Sequence, residues 1–164
     1  MDIVFSSTTQ LAAAIRAGHV SAREVLQAHL AQIDTCNPTL NAVITLDAGR
    51  AYERAREADA ALARGEIWGP LHGVPFTLKD AHATAGMRTT TGFPPLDHAP
   101  QADSTVTARL KAAGGILLGK TNVAMMLADY QTNNPIFGRT NNPWNVERTP
   151  GVPVGARQRR WLPE

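Results

Sequence analysis

The chain has 164 residues, of which 43% are hydrophobic, 18% charged and 5% aromatic, and its formal net charge is +2. This is the composition of an ordinary globular domain, which argues against long disordered segments. No apolar run reaches the roughly 20 residues that a membrane-spanning helix needs, and no secretory signal is recognisable. Cys36 is the single cysteine, which excludes an intramolecular disulfide. We therefore expect a cytoplasmic protein that binds neither membranes nor nucleic acid.

Three helices and one short strand are predicted in the first part of the chain. Apolar residues at helical spacing predict helices over 8–18 and 21–36. A Ser21–Glu24 capping box begins the second helix, and Asn37-Pro38 is expected to end it. A β-type run predicts a strand over 42–46, and a segment rich in Ala, Arg and Glu predicts a helix over 48–64.

The pattern changes at residue 69, where glycines and prolines cluster. Alternating apolar residues then predict a strand over 74–79 that ends at Lys79. A loop over 86–103 leads to a helix over about 105–113, followed by a short strand over 116–118 and a weakly marked helix over 122–130. Helices alternating with strands predict an α/β fold.

The segment 114–121, GGILLGKT, satisfies the phosphate-loop pattern G-x-x-x-x-G-K-[ST]. A phosphate loop follows a strand and opens a helix, so that free N–H groups face the phosphates. Here a helix precedes the glycines, and Ile-Leu-Leu suits the core of a strand. We interpret the segment as a helix–turn–strand connection, with a nucleotide-binding loop as the alternative.

Lys79 is the residue whose chemistry is most informative. A lysine at a strand end is commonly solvated, but this one follows an apolar strand bracketed by glycine and proline. A lysine in a dry pocket has a lowered pKa and can act as a base beside serine hydroxyls. The five histidines and Cys36 show no metal-ligand spacing, so packed or exposed side chains are the better interpretation.

Several segments in a fixed order resemble the amidase signature family. Residues 69–80, GPLHGVPFTLKD, resemble the family's lysine segment, and the further matches are Thr90-Thr91-Gly92, Asp103-Ser104, LKAAG at 110–114, GKTN at 119–122 and FGRTNNPWN at 137–145. The resemblance covers about residues 5–151. It implies that residues 1–151 form the N-terminal part of an amidase-signature domain, an α/β fold with a mixed sheet flanked by helices.

The resemblance also implies a reaction. The family hydrolyses carboxamide bonds with a Ser–cis-Ser–Lys triad, and Lys79 is by resemblance the triad lysine. It would accept the proton of the nucleophilic serine through the cis serine. No metal or organic cofactor is implied, and the substrate would be a small-molecule amide. Met126, Tyr130 and Gln131 are candidate substrate-binding residues from their place after the GKTN turn, although ordinary core and loop positions are an equally open interpretation.

The resemblance breaks after Gly151. The family continues with Gly-Ser-Ser-Gly-Gly, whereas this chain has Val152-Pro153-Val154-Gly155-Ala156, so neither triad serine stands where it is expected. Codons for residues 152–164 exist that encode Gly-Ser-Ser-Gly-Gly followed by an alanine-rich segment when the reading frame is shifted by one base.

We therefore hypothesise that residues 152–164 are a frameshifted tail and that the chain alone is inactive. Its core surface would then be exposed and could support self-association. The alternative is a non-catalytic binding or regulatory module that pairs with an intact amidase subunit.

Overall fold

The computed structural model describes residues 2–151, which fold into helices and two small sheets. The elements are α1 (Thr8–Arg16), α2 (Ala22–Leu40), β1 (Val43–Leu46), α3 (Ala48–Ala63), β2 (Pro75–Lys79), α4 (Thr105–Ala112), β3 (Ile116–Thr121), β4 (Asn133–Asn134) and β5 (Gly138–Arg139). Two 3₁₀ turns lie at Pro94–Leu96 and Met125–Leu127. No helix in this part of the chain has the length and apolarity needed to cross a membrane.

The principal sheet has three strands in the order β1-β3-β2. Strand β1 pairs antiparallel with β3, and β2 pairs parallel with β3 through a crossover that contains α4. The predicted α/β class with a mixed sheet is confirmed. In the parallel pair, Leu78 lies opposite Lys120 and Lys79 lies opposite Thr121. The register therefore brings two lysines to neighbouring strand ends.

Helices α2 and α3 cover one face of β3. The buried residues of this core are Ala22, Leu26, Leu30, Ala51, Ala55, Ala58, Ile116 and Leu118. Alanines supply the inward side of α3, so this helix can approach the sheet closely. A second cluster joins Leu11 and Ile15 of α1 to Val25 and Val74. The sheet thus packs against α2 and α3, and Val74, directly before β2, belongs to the second buried cluster.

The start of α2 confirms the predicted capping box, but its predicted end is wrong. Ser21 and Glu24 cap each other's backbone N–H groups, as expected. The helix continues through Pro38 to Leu40, where Asn41 in the left-handed region (φ 52°) ends it. Pro38 lacks only its own N–H, and the Asn37 side chain binds both backbone groups of Val43. These contacts and the buried Leu40 stabilise the extra turn.

The predicted helix over 122–130 is also wrong. The segment forms only the 3₁₀ turn at Met125–Leu127, in which Met126 and Leu127 adopt left-handed φ values of 53° and 58°. The buried Asn122 binds Gly138, Thr140 and Asn134 through its side chain, so this segment is tied to the strands that follow. Such side-chain bonds compete with helical ones. Strand β3, in turn, extends beyond 118 to include Lys120 and Thr121.

Candidate active site

Lys79 is the last residue of β2 and is half-buried. Pairing with β3 fixes the strand up to this point, and the next residue continues the pattern because the Asp80 N–H donates to the Thr121 carbonyl at 3.0 Å. The chain then turns, with the His82 N–H donating to the Lys79 carbonyl at 3.0 Å. The backbone that carries the Lys79 amine is therefore held on both sides.

Asp80, directly after Lys79, is buried and anchors the loop that follows β2. Its Oδ2 accepts hydrogen bonds from the Thr90 N–H at 3.0 Å and from the Thr90 hydroxyl at 2.5 Å. Its carbonyl accepts from the Thr91 N–H at 2.9 Å. We name residues 80–92 the β2 loop. Asp80 thus closes this loop from its first residue to its far end.

Lys120 of β3 lies beneath the same loop and is fully buried. Its Nζ donates to the His82 carbonyl at 2.8 Å and to the Thr89 hydroxyl at 3.0 Å, and lies 3.6 Å from Asp80 Oδ1. Within residues 2–151 that oxygen accepts no hydrogen bond, so the charge of Lys120 is what compensates it. Burial raises the pKa of Asp80 and lowers the pKa of Lys120. The attraction between the two charges acts on both pKa values in the opposite direction and is the smaller effect.

The sequence reasoning missed this ion pair. A signal for it was present: Lys120 follows Ile116 and Leu118 at alternating positions of one strand, and this pattern predicts a buried lysine, as the structure shows. A lysine in that position needs an acidic partner. Asp80, two residues beyond the Leu78 position that lies opposite Lys120, is this partner.

The three candidate substrate-binding residues lie on the surface. Met126, Tyr130 and Gln131 are all exposed, Tyr130 to 75%. The Met126 N–H donates at 2.9 Å to the carbonyl of Thr91, whose own N–H binds Asp80. Two backbone hydrogen bonds thus connect the Met126 turn with the residue after Lys79. Tyr130 and Gln131 lie further along, where Gln131 accepts from the Thr149 hydroxyl.

A cavity lies beside the site and not at it. Its volume is about 910 Å³, and it runs between the N-terminal segment, α2 and the strand ends. Thr77 and Asn122 line it, whereas Lys79 and the three candidate residues do not. Cys36 also borders this cavity and accepts a hydrogen bond from the Gln32 amide at 3.1 Å.

The interpretation of residues 114–121 as helix–turn–strand is confirmed. Helix α4 ends before Gly114, which takes a φ of +92°, and the rest of the segment is strand β3. A Cβ on Gly119 would lie 2.2 Å from the carbonyl oxygen of Thr45, so this glycine permits close strand pairing. In residues 2–151 no group of three or more His, Cys, Asp or Glu could hold a metal ion.

Residues 24–154 match the model of the Amidase family. The chain belongs to the amidase family. Among curated amidase relatives, a subunit of the glutamyl-tRNA(Gln) amidotransferase of Acidothermus cellulolyticus is 44% identical over 155 residues, which is 94% of this chain and 31% of that relative. The corresponding subunit from Carboxydothermus hydrogenoformans is 39% identical over 156 residues. The chain thus spans about a third of the length of these relatives.

Solved amidase structures show the same fold. The peptide amidase from Stenotrophomonas maltophilia has a TM-score of 0.82 at 31% identity, covering 89% of this chain and 31% of that one. A fatty acid amide hydrolase has a TM-score of 0.83 at 27% identity, covering 88% of this chain and 26% of that one. The expected amidase-signature fold, present as a partial domain, is confirmed.

Proposed function

We propose that this chain carries the lysine part of an amide-hydrolysing site, with Lys79 as the residue that accepts the proton of a serine nucleophile through a second serine. The observation that carries the proposal is the position of Lys79 at the end of β2, half-buried and held by the Asp80 and His82 backbone. A base must keep its geometry to act in proton transfer. Family membership supplies the reaction class.

The chemistry follows from these roles. The serine oxygen attacks the carbonyl carbon as its proton passes by way of the second serine to the Lys79 amine. Proton return to the leaving nitrogen breaks the C–N bond and releases ammonia or an amine. Water then attacks the acyl-serine and yields a carboxylate. Backbone N–H groups near the nucleophile would stabilise the oxyanion, and the substrate class is a small carboxamide.

We assign substrate contact to the Met126 turn. Met125, Met126 and Leu127 are all about half exposed. The Met126 N–H is hydrogen-bonded to the carbonyl of Thr91 in the β2 loop. Residues other than glycine seldom take the left-handed conformation of Met126, and such strain is concentrated at functional sites. Tyr130 and Gln131 belong to the same proposal as weaker contacts. In an active full-length protein, Met126→Ala should raise KM more than it lowers kcat.

We also propose that residues 152–164, which lie outside the described residues, are an out-of-frame reading of Gly-Ser-Ser-Gly-Gly and the segment after it. Two facts support this: the sequence has no serine after Ser104, and Pro153 and Val154 stand at the positions of the serine pair in the family that the chain resembles. Sequencing the native gene from codon 145 onward tests it. A second frame that encodes Gly-Ser-Ser-Gly-Gly supports the proposal, and the absence of such a frame removes it.

The function is tested by restoring that frame. The restored protein should hydrolyse simple carboxamides with release of ammonia, whereas the 164-residue chain should not, because it lacks the nucleophile. Ammonia release from a panel of aliphatic and aryl amides is the measurement. Equal activity of the two proteins would refute the assignment of the missing serines, and an inactive restored protein that is folded would refute the amidase proposal.

A second candidate is a binding module that pairs with an intact amidase subunit. The relatives named above are subunits of an amidotransferase. The described surface exposes large apolar side chains, including Tyr130 at 75% and Trp144 at 62%. Such side chains favour association, either with a partner or between copies of this chain. Size-exclusion chromatography with light scattering, with and without the restored protein, separates a heteromeric complex from self-association.

A further inference from the structure

We propose that Lys120 is a positioning residue for Lys79: with Asp80 it fixes the β2 loop beneath the end of β2 and thereby sets the orientation of the Lys79 amine. The inference rests on the proposed role of Lys79 and adds to it a residue that touches neither the substrate nor the serines.

One ammonium group holds the β2 loop at three points. Lys120 Nζ donates to the His82 carbonyl and to the Thr89 hydroxyl, and faces Asp80 Oδ1 at 3.6 Å. These three partners lie at the beginning and near the end of the loop. Asp80 also joins the two ends of the loop, because its Oδ2 accepts two hydrogen bonds from Thr90. The loop is therefore closed around a buried pair of opposite charges.

The strand register explains how Lys120 acts through this loop. Lys120 lies opposite Leu78, and Lys79 lies opposite Thr121, one step further along the same parallel pair. Lys120 is completely buried, whereas Lys79 is half-buried. A buried amine that is already occupied by three partners cannot exchange protons with a substrate. Its effect on Lys79 must pass through Asp80 and the loop backbone.

The chain offers an internal reference for a test. It contains three lysines, Lys79, Lys111 and Lys120. Lys111 lies on α4 in a partly exposed ion pair with Asp103, and Asp103 also accepts a hydrogen bond from the Ala85 N–H in the middle of the β2 loop. Trace acetylation of the 164-residue chain with acetic anhydride, followed by peptide mass spectrometry, reports the reactivity of each amine. In the unmodified sequence Lys120 should react at least about tenfold more slowly than Lys111, because a buried amine reacts only through local opening.

The decisive quantity is the ratio of Lys79 to Lys111 labelling. In Lys120→Met this ratio should change by more than about twofold, the smallest coupling typical of residues in one hydrogen-bond network. Lys120→Arg, which keeps the charge and donors, should restore the ratio toward its original value. A merely structural role would alter both lysines together. An unchanged ratio in folded Lys120→Met would overturn the proposal.

A milder variant decides the matter if Lys120→Met does not fold. Thr89→Val removes one acceptor of Lys120 and leaves both charges in place. It should shift the ratio in the same direction by a smaller amount, and no shift would overturn the proposal. Because labelling does not use activity, the failure of this inference is distinct from the failure of the proposed function, which would appear as activity that survives Lys79→Ala in the restored protein.

Discussion

Replacing Lys120 by methionine removes one charge of a buried pair and leaves the shape of the side chain nearly unchanged. Lys120 and Asp80 have side-chain exposures of 0% and 1%, and their charges lie 3.6 Å apart. At an effective dielectric constant of about 20, two unit charges at this distance attract by about 5 kcal/mol. Lys120→Met loses this attraction and the bonds to His82 and Thr89, and it leaves Asp80 buried without its counter-charge.

We expect Lys120→Met to lower the free energy of unfolding by about 3–5 kcal/mol, the usual cost of breaking a buried pair on one side. The double variant Lys120→Met/Asp80→Asn should recover part of this loss, because no uncompensated charge then remains. Lys111→Met is the matched control. Its ion pair with Asp103 is partly exposed, so it should cost no more than about 1 kcal/mol.

Urea-induced unfolding followed by tryptophan fluorescence measures these differences, since Trp68 packs against the core formed by α2, α3 and β3. The slope of the unfolding free energy against urea concentration should be the same in all variants, so that a shift in the midpoint measures the change in stability. A loss below about 1 kcal/mol for Lys120→Met, equal to that for Lys111→Met, would refute the reasoning. A double variant that is less stable than both single variants would also refute it.

Three further predictions concern other features. Gly119→Ala should destabilise the fold by about 2 kcal/mol or more, because the new Cβ would lie 2.2 Å from the Thr45 carbonyl oxygen. Gly49→Ala, at an open position on α3, is the control and should stabilise the fold by up to about 1 kcal/mol in the same urea titration. The pKa of His82 is lowered, chiefly by burial and then by the charges of Lys120 and Lys79. The stability that a neutral His82 contributes is therefore complete above its unfolded pKa of about 6.5 and is lost as the pH falls toward the folded pKa. Unfolding free energies at several pH values between 7.5 and 5.5 should show this loss, and His82→Gln should reduce it; an identical pH dependence in the variant would contradict the assignment. ATP with Mg²⁺ should leave the melting temperature unchanged, because Lys120 lies within a strand beneath the β2 loop, and a saturable rise would contradict this.

Local patterns predicted most elements because their causes are local. The Ser21–Glu24 capping box and the alternation before Lys79 each depend on a few neighbouring residues, and both predictions were confirmed. The end of α2 was wrong because a contact between Asn37 and Val43, beyond the helix, outweighs the effect of Pro38. The predicted helix after residue 122 was wrong for a related reason, since Asn122 bonds to residues that follow it by twelve or more positions.

The candidate site divides in the same way. The position of Lys79 at a strand end was predicted from a segment of twelve residues that resembles one family, and this prediction needed no tertiary information. The ion pair of Asp80 with Lys120 depends on the parallel register of two strands separated by a long crossover. Sequence spacing alone does not give that register. The catalytic role of Lys79 and the substrate-binding roles of Met126, Tyr130 and Gln131 stay predictions.

The most direct test of the central claim is the effect of Lys79→Ala on carboxamide hydrolysis by the restored-frame protein. Lys111→Ala, at a partly exposed lysine of the same chain, is the matched control. Loss of a base in a serine triad costs on the order of 10³-fold or more in kcat. We predict such a loss for Lys79→Ala, with the fold retained and with Lys111→Ala fully active. Full activity of the Lys79→Ala protein would contradict the account.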